Sequence, residues 1–144
     1  MPSKVWLGFD WGVSWIGVAS GQTETFTASE LKPIRAKNGT PNWDEMDALV
    51  NEWKPAGFIV GIPYNMDGTE FDLTLRANKF RKRLYGRYGL PAHGVDERLT
   101  TREAFQHLGA AGTSLKKAKK ANVDGIAAQI ILQSWLNEQS NGAG

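Results

Sequence analysis

Three carboxylates in this chain stand where chemistry would want them. Asp10 closes the apolar run of residues 4–10 (KVWLGFD), Glu97 closes residues 91–97 (PAHGVDE), and Asp124 lies in the first turn of a helical segment that opens after Asn122. In a mixed sheet the first and last elements of a chain can be neighbours, so acids this far apart in sequence can converge. Clustered carboxylates repel, and at least one should then be raised in pKa. A divalent cation removes that repulsion, and Mg2+ or Mn2+ takes such oxygen ligands. Two such ions ~3.5–4 Å apart can activate an attacking water and stabilise the leaving oxygen of a phosphodiester. Asp10, Glu97 and Asp124 are therefore the candidate catalytic and metal-ligating residues. Each alone also has a plainer reading. An Asp before Trp-Gly is a turn former, an Asp in a first helical turn suits the helix dipole, and Asp96-Glu97-Arg98 is a surface charge cluster.

Charge is unevenly spread. The net charge is +2, yet residues 1–70 carry five Lys/Arg against nine Asp/Glu, and residues 71–144 carry twelve against six. No acid occurs between Leu73 and Val95, where Arg76, Lys79, Arg81, Lys82, Arg83 and Arg87 fall. Residues 104–123 are also free of acids and hold Lys116, Lys117, Lys119 and Lys120. One-signed surface of this kind favours a polyanionic partner; the plainer alternative is a solvated helix face and a basic loop.

The elements that must position the acids follow from patterning. Residues 4–10 and 15–20 read as a hairpin of strands, and the Thr-rich residues 24–32 as a third antiparallel strand. Asn42, with Glu45 three residues on, predicts a capped helix with Met46, Leu49, Val50 and Trp53 on its apolar face. Residues 58–61 predict a buried strand. A second helix is expected over residues 72–88, its stripe being Leu73, Ala77, Phe80, Leu84 and Tyr88. Residues 91–97 form the fifth strand. Thr100 and Glu103 open a third helix to about residue 108. The glycine-rich, basic residues 109–120 form a loop, and a final helix carries Val123, Ile126, Ala127, Ile130 and Ile131. The expected architecture is one α/β domain over residues 1–138, a mixed five-stranded sheet with helices on both faces, followed by a frayed tail at residues 139–144.

Composition removes several classes. There is no cysteine, hence no disulfide, thiolate zinc site or cysteine nucleophile. His93 and His107 have no partner at ligand spacing. No apolar run approaches the ~20 residues of a membrane span, and the start lacks the pattern of a secretory signal. A cytoplasmic protein without a membrane partner is expected.

The strings DWG…IGVA (residues 10–19), RAKNGTP (35–41), VGIPYNMDGTE (60–70), DERLTT (96–101) and VDGIAAQIILQSWL (123–136) occur in the order and spacing of the YqgF (RuvX-like) family, which this chain resembles from about residue 5 to 137. The resemblance implies a ribonuclease H fold like that of Holliday-junction resolvases. It also implies a metal-dependent nuclease that acts on RNA, with a role in maturing the 5′ end of precursor 16S ribosomal RNA. The family's acidic positions fall on Asp10, Glu97 and Asp124. Gly12, Asn65, Asp67, Arg98 and Thr100 belong to its motifs and become candidate substrate contacts, with Lys116, Lys117, Lys119 and Lys120. One departure stands out: the family commonly has arginine directly before I-G, and here that residue is Trp15, with Ser14 beside it. Trp15 is expected to pack against the sheet or Trp11; stacking on a base is the alternative.

Other readings remain open. A phosphotransferase of the actin and sugar-kinase type would need a second lobe that 144 residues do not provide, and there is no Walker A loop. A non-catalytic RNA-binding or transcription-assisting factor would not need all three acids. A resolvase of branched DNA would act as a symmetric dimer, whereas a monomer or weak dimer is expected here. If the lysine loop closes over nucleic acid, replacing Lys116, Lys117, Lys119 and Lys120 with Ala should reduce the log–log salt slope of RNA binding by about 0.7 for each phosphate no longer neutralised. An unchanged slope would reduce the loop to a solubilising segment.

Overall fold

In the computed structural model, which describes residues 4–99 and 124–142, β1 (Val5–Asp10), β2 (Trp15–Gln22) and β3 (Thr27–Lys37) form an antiparallel meander. Next come β4 (Thr40–Pro41), α1 (Trp43–Trp53), β5 (Gly57–Ile62), α2 (Asp72–Tyr88), β6 (Ala92–Asp96), a 3-10 turn (Glu97–Leu99) and α3 (Asp124–Gly142). The strand order is β4-β3-β2-β1-β5-β6, with β1, β5 and β6 mutually parallel.

The sheet has six strands rather than the expected five. The addition is β4, joined to β3 through Asn38 and Gly39, whose φ values are 49° and 84°. Two successive positive-φ residues make the two-residue turn that matches hairpin twist, and Asn-Gly is its favoured sequence. β3 also begins later and runs further than its Thr-rich pattern suggested. The register of β2 against β3 shifts between Ile16 and Val18, opposite Lys32 and Pro33. That bulge accommodates a proline, which has no N–H to give to the ladder.

Asn42 caps α1 as expected, its Oδ1 accepting from the N–H groups of Asp44 and Glu45 at 3.1 and 3.3 Å. The Glu45 carboxylate accepts from the N–H of Arg35 at 3.2 Å, so it ties the helix to β3. At the other end, strand β6 stops at Asp96 and Glu97 begins the 3-10 turn, so Glu97 lies just past the strand and not within it. α3 continues through Gly142 and so takes in the first four residues of the expected frayed tail. The predicted third helix and the lysine loop, with Thr100, Lys116, Lys117, Lys119 and Lys120, lie outside the described residues.

Alternation along the strands divides the core between the two faces of the sheet. Leu7, Phe9, Ile16, Val18, Phe58 and Val60 meet α1 and α2 through Met46, Ala77, Phe80 and Leu84. Ala19, Ala28 and Ile59 meet α3 through Ala127, Ala128, Ile131, Leu132 and Leu136. Among the described residues no helix is long and apolar enough to cross a membrane.

The two helices on the first face are also tied by charge. Arg87 donates to both carboxylate oxygens of Asp47 at 2.9 and 2.8 Å, and the Tyr88 hydroxyl donates to the same group at 2.6 Å. These bonds, Arg87 first, lower the Asp47 pKa from 3.8 to about 2, while burial and the Asp47 charge push the Tyr88 hydroxyl up. A carboxyl depressed in the folded state stabilises above its unfolded pKa and loses that contribution as pH falls through the folded value. The urea midpoint of wild type should therefore exceed that of Asp47→Asn at neutral pH, and the gap should close between about pH 4 and pH 2. A gap independent of pH across that window would show that the ion pair does not contribute.

Candidate active site

The parallel strands β1, β5 and β6 deliver their carboxyl ends to one rim, the usual place for ligands in open α/β sheets. β1 pairs with β5 so that Phe9 lies opposite Val60, which sets Asp10 level with Gly61 on the neighbouring strand. Gly8 and Gly61 both face α3. A Cβ on Gly8 would lie 2.7 Å from Leu132 Cβ, and one on Gly61 would lie 2.5 Å from Ile131 Cδ1. Asp10, two residues beyond Gly8, projects to the same face and is only 5% exposed.

Glu97 reaches this place from the far side. Its Oε1 lies 2.9 Å from the point where a Cβ on Gly61 would be. The carboxylate occupies room that any side chain at position 61 would take. Adjacent strands are about 4.8 Å apart, so Asp10 and Glu97 flank the same patch of backbone. The sequence placed these two acids together, and the structure brings them to one rim and one face.

Asp124 is the first residue of α3. The position falls four residues before Ala128, whose carbonyl oxygen lies 3.3 Å from the Gly8 Cβ point, and seven before Ile131 at Gly61. The side chain of Asp124 lies outside the described residues. Among the described residues no three His, Cys, Asp or Glu gather as a metal cluster. The chemistry of the donors fits Mg2+ or Mn2+ nonetheless. Asp10 and Glu97 offer hard oxygens, Gly61 has no side chain to keep the Glu97 carboxylate out, and His93 is occupied elsewhere, stacked on Trp6 at 5.9 Å.

The loop after β5 borders the same rim and is internally bonded. Asp67 Oδ1 accepts from the N–H and hydroxyl of Thr69 at 2.9 and 2.6 Å, and Asn65 Nδ2 donates to the Thr69 hydroxyl at 2.9 Å. These bonds to Thr69 hold the Asp67 carboxyl below its usual range. Behind the loop, the Thr74 hydroxyl donates to the Pro63 carbonyl and accepts from the Phe71 N–H. Gly68 takes φ 89°, and the Arg98 guanidinium lies over it.

Arg98 joins this loop to the end of β6. It donates to Asp96 from Nη2 at 2.7 Å and from Nε at 3.1 Å, and to the Met66 carbonyl from Nη1 at 3.3 Å. Its guanidinium also sits 5.5 Å from the Tyr64 ring centre. The pairing lowers the Asp96 pKa and raises that of Arg98. Arg98 thus clamps both segments that flank Glu97. Gly12 makes the tight turn after Asp10, where a Cβ would lie 2.5 Å from the Trp15 carbonyl oxygen.

Trp15 departs from expectation. It is 41% exposed rather than buried against the sheet or Trp11. It pairs across strands with Arg35, whose guanidinium lies 5.5 Å from its ring centre. A cation therefore stands beside the position where the family pattern has arginine, supplied by β3. Sequence reasoning also passed over Gly61 and Thr69, whereas Asp96 was read as part of a charge cluster with Arg98, and the two are paired. Gly61 carried no local signal, whereas Thr69 two residues after Asp67 is the spacing of an Asx turn.

The fold is that of ribonuclease H-like nucleases. Solved structures of similar fold include the yeast mitochondrial Holliday junction resolvase Ydc2 (TM-score 0.59, 13% identity, covering 96% of this chain and 80% of that one). Another is Thermus thermophilus RuvC in complex with Holliday junction substrate (TM-score 0.55, 14% identity, covering 95% and 96%). Residues 4–138 match the RuvX family, described as a Holliday junction resolvase. A protein of Aeromonas hydrophila subsp. hydrophila named "Putative pre-16S rRNA nuclease" is 48% identical over 139 residues, covering 96% of this chain and 99% of its own. One of the same name from Pseudomonas fluorescens is 47% identical over 140 residues, covering 97% of both. The chain belongs to the RuvX family and is a nuclease, a hydrolase of phosphodiester bonds.

Gly61→Ala tests the cradle. The added methyl must displace Ile131 or Glu97, at a cost of about 1–3 kcal/mol typical of overpacking. Phosphodiester cleavage by the folded variant should fall sharply. Full activity at a temperature well below its melting midpoint would show that Glu97 does not act from this position.

Proposed function

We propose that this nuclease cleaves RNA with the help of Mg2+ or Mn2+, in the cytoplasm, in the 5′-end maturation of precursor 16S ribosomal RNA. The observation that carries the reading is the convergence of Asp10 and Glu97 over Gly61 at the carboxyl rim. The relatives' name supplies the substrate, and their near-complete overlap with this chain supports its transfer.

Asp10 and Glu97, with Asp124 at the start of α3, would hold the cation through carboxylate oxygens. When bound, it supplies Lewis acidity toward a phosphate oxygen and a more acidic water. The protein's own work is positioning. Asp10 is fixed by the ladder of β1, and Glu97 by the Gly61 cradle and the Arg98 clamp beside it. Burial of Asp10 limits water around the reacting phosphate and strengthens electrostatic interactions there. Gly12, Asn65, Asp67, Arg98 and Thr100 border the path of the substrate in this reading, with Lys116, Lys117, Lys119 and Lys120 as its phosphate contacts. A four-way DNA junction is the second substrate to test, because the family's description names that activity.

Asp10→Asn preserves side-chain shape and removes the charge. Under single-turnover conditions it should abolish cleavage of 5′-extended precursor 16S RNA and leave RNA affinity intact. Excess EDTA should do the same to wild type. Cleavage at the wild-type rate in the variant would remove Asp10 from the mechanism, and activity surviving EDTA would remove the metal. Cleavage of the junction but not of the RNA would move the substrate to branched DNA.

A further inference from the structure

Around the end of β1 from the acids lies a second, differently charged recess. β1 alternates, so Asp10 points to the α3 face and Trp11 to the face of α1 and α2. Trp11 forms one wall of a cavity of about 270 Å³ between α2 and the β3–β4 turn. Arg76, Lys79 and Arg83 line it from α2, with Asn38 and Thr40 opposite. The spacing of the three cations, three and then four residues apart, puts them on one helical stripe.

The recess is built rather than incidental. The Trp11 indole N–H donates to the Gly39 carbonyl at 2.9 Å. The Gly39 N–H in turn donates to the Val13 carbonyl at 2.8 Å. Position 39 must be glycine: φ is 84°, and a Cβ would lie 2.3 Å from the indole. Arg76 is set by bonds to the Asn38 carbonyl at 3.0 Å and the Asn38 side-chain oxygen at 3.2 Å, with its guanidinium 5.0 Å from the Trp11 ring centre. Asp72 approaches Arg76 only to 3.9 Å and is 78% exposed. Among the described residues no carboxylate forms an ion pair with Lys79 or Arg83. Two other cations of α2 are engaged otherwise: Arg87 with Asp47, and Arg81 with the Ala92 carbonyl and Asn78.

We propose that this cavity is a phosphate subsite, which holds a backbone phosphodiester of the substrate strand away from the bond being cut. The proposal rests on the reading that the substrate is a nucleic acid. Three like charges around one recess call for an anion, and guanidinium with ammonium is the usual protein set for phosphate. Because Trp11 directly follows Asp10, a strand that passes over the end of β1 reaches both places. The acids at the rim repel phosphate, so a cationic hold on the opposite face supplies binding that the cutting site does not.

The test uses the Asp10→Asn protein as parent, so that RNA stays intact, and follows a labelled single-stranded RNA by anisotropy across a salt series. Lys79→Gln with Arg83→Gln removes two exposed charges and should leave the melting midpoint unchanged. It should weaken binding and lower the log–log salt slope by about 0.7 for each phosphate no longer neutralised. Lys4→Ala with Lys54→Gly, at the opposite end of the sheet, removes equal charge and should leave the slope unchanged; position 54 has φ 45°, which glycine accepts. A pocket variant with parental slope and affinity overturns the subsite alone. So does a control variant whose binding weakens as much as that of the pocket variant. If a nucleoside monophosphate, titrated calorimetrically, binds the parent and not the pocket variant while the RNA slope is unchanged, the recess serves free phosphate monoesters and the backbone assignment fails. A parent that binds no RNA and no four-way junction overturns the nucleic-acid reading itself.

Discussion

The arrangement of this molecule depends on how closely α3 lies against the sheet. At Gly8, Gly21 and Gly61 the helix side chains occupy the volume in which strand Cβ atoms would stand, with Leu132, Leu136 and Ile131 as the intruders. A helix on a sheet normally rests on a layer of side chains from both partners. Here one layer is thinned to backbone on three adjacent strands, so the start of the helix and the ends of β1 and β5 are set relative to each other within the tolerance of direct contact. Interiors of this density transmit displacement rather than absorb it. A methyl added at any of the three positions would press against α3 and push it away from the sheet there. Gln133 and Gln129 fix the helix along its axis, by bonds to the Phe26 and Ala28 carbonyls and from the Ala28 N–H at 2.7, 2.9 and 3.0 Å.

The positive charge of the second half of the chain is less uniform in space than in sequence. Arg81, Arg87 and Arg98 are committed to the fold, each through bonds to a carbonyl or a carboxylate on another element. Arg76 is oriented by the β3–β4 turn. Lys79 and Arg83 extend into the recess beside it. A count of basic residues over residues 73–95 therefore overstates the charge open to a polyanion, and burial and pairing identify which cations face one.

Asp10 was legible from sequence because it closes β1, and Glu97 because it stands one residue past the end of β6; element ends are fixed by patterning. The helix at 72–88 was legible because Ala77, Phe80, Leu84 and Tyr88 recur at helical spacing, but Leu73, expected on the same stripe, is exposed and Thr74 takes the buried place. β4 was not, since two residues carry no periodicity and the strand exists only through the Asn38-Gly39 turn. Nor was the Trp15–Arg35 pair: its members are 20 residues apart, and their pairing follows from a register set by a bulge at Pro33. Arg98 was read as a phosphate contact because it sits beside Glu97. Its pair with Asp96 is local, but its bond to Met66 depends on how the loop after β5 folds back, which local sequence does not encode.

The alternation of β1 has a consequence for how a polyanion can be held. Asp10 and Trp11 are consecutive, yet they face opposite sides of the sheet, one beside a second carboxylate and the other beside three cations. A phosphodiester approaching the acids meets like charge, and the nearby positive field lies past the strand end where the chain turns at Gly12. Charges of both signs mixed on one face would largely cancel in that field. Under the proposed subsite, separation across the sheet would let a strand be held at one side and offer a bond for hydrolysis at the other, and the simple period of a β-strand is sufficient to build it.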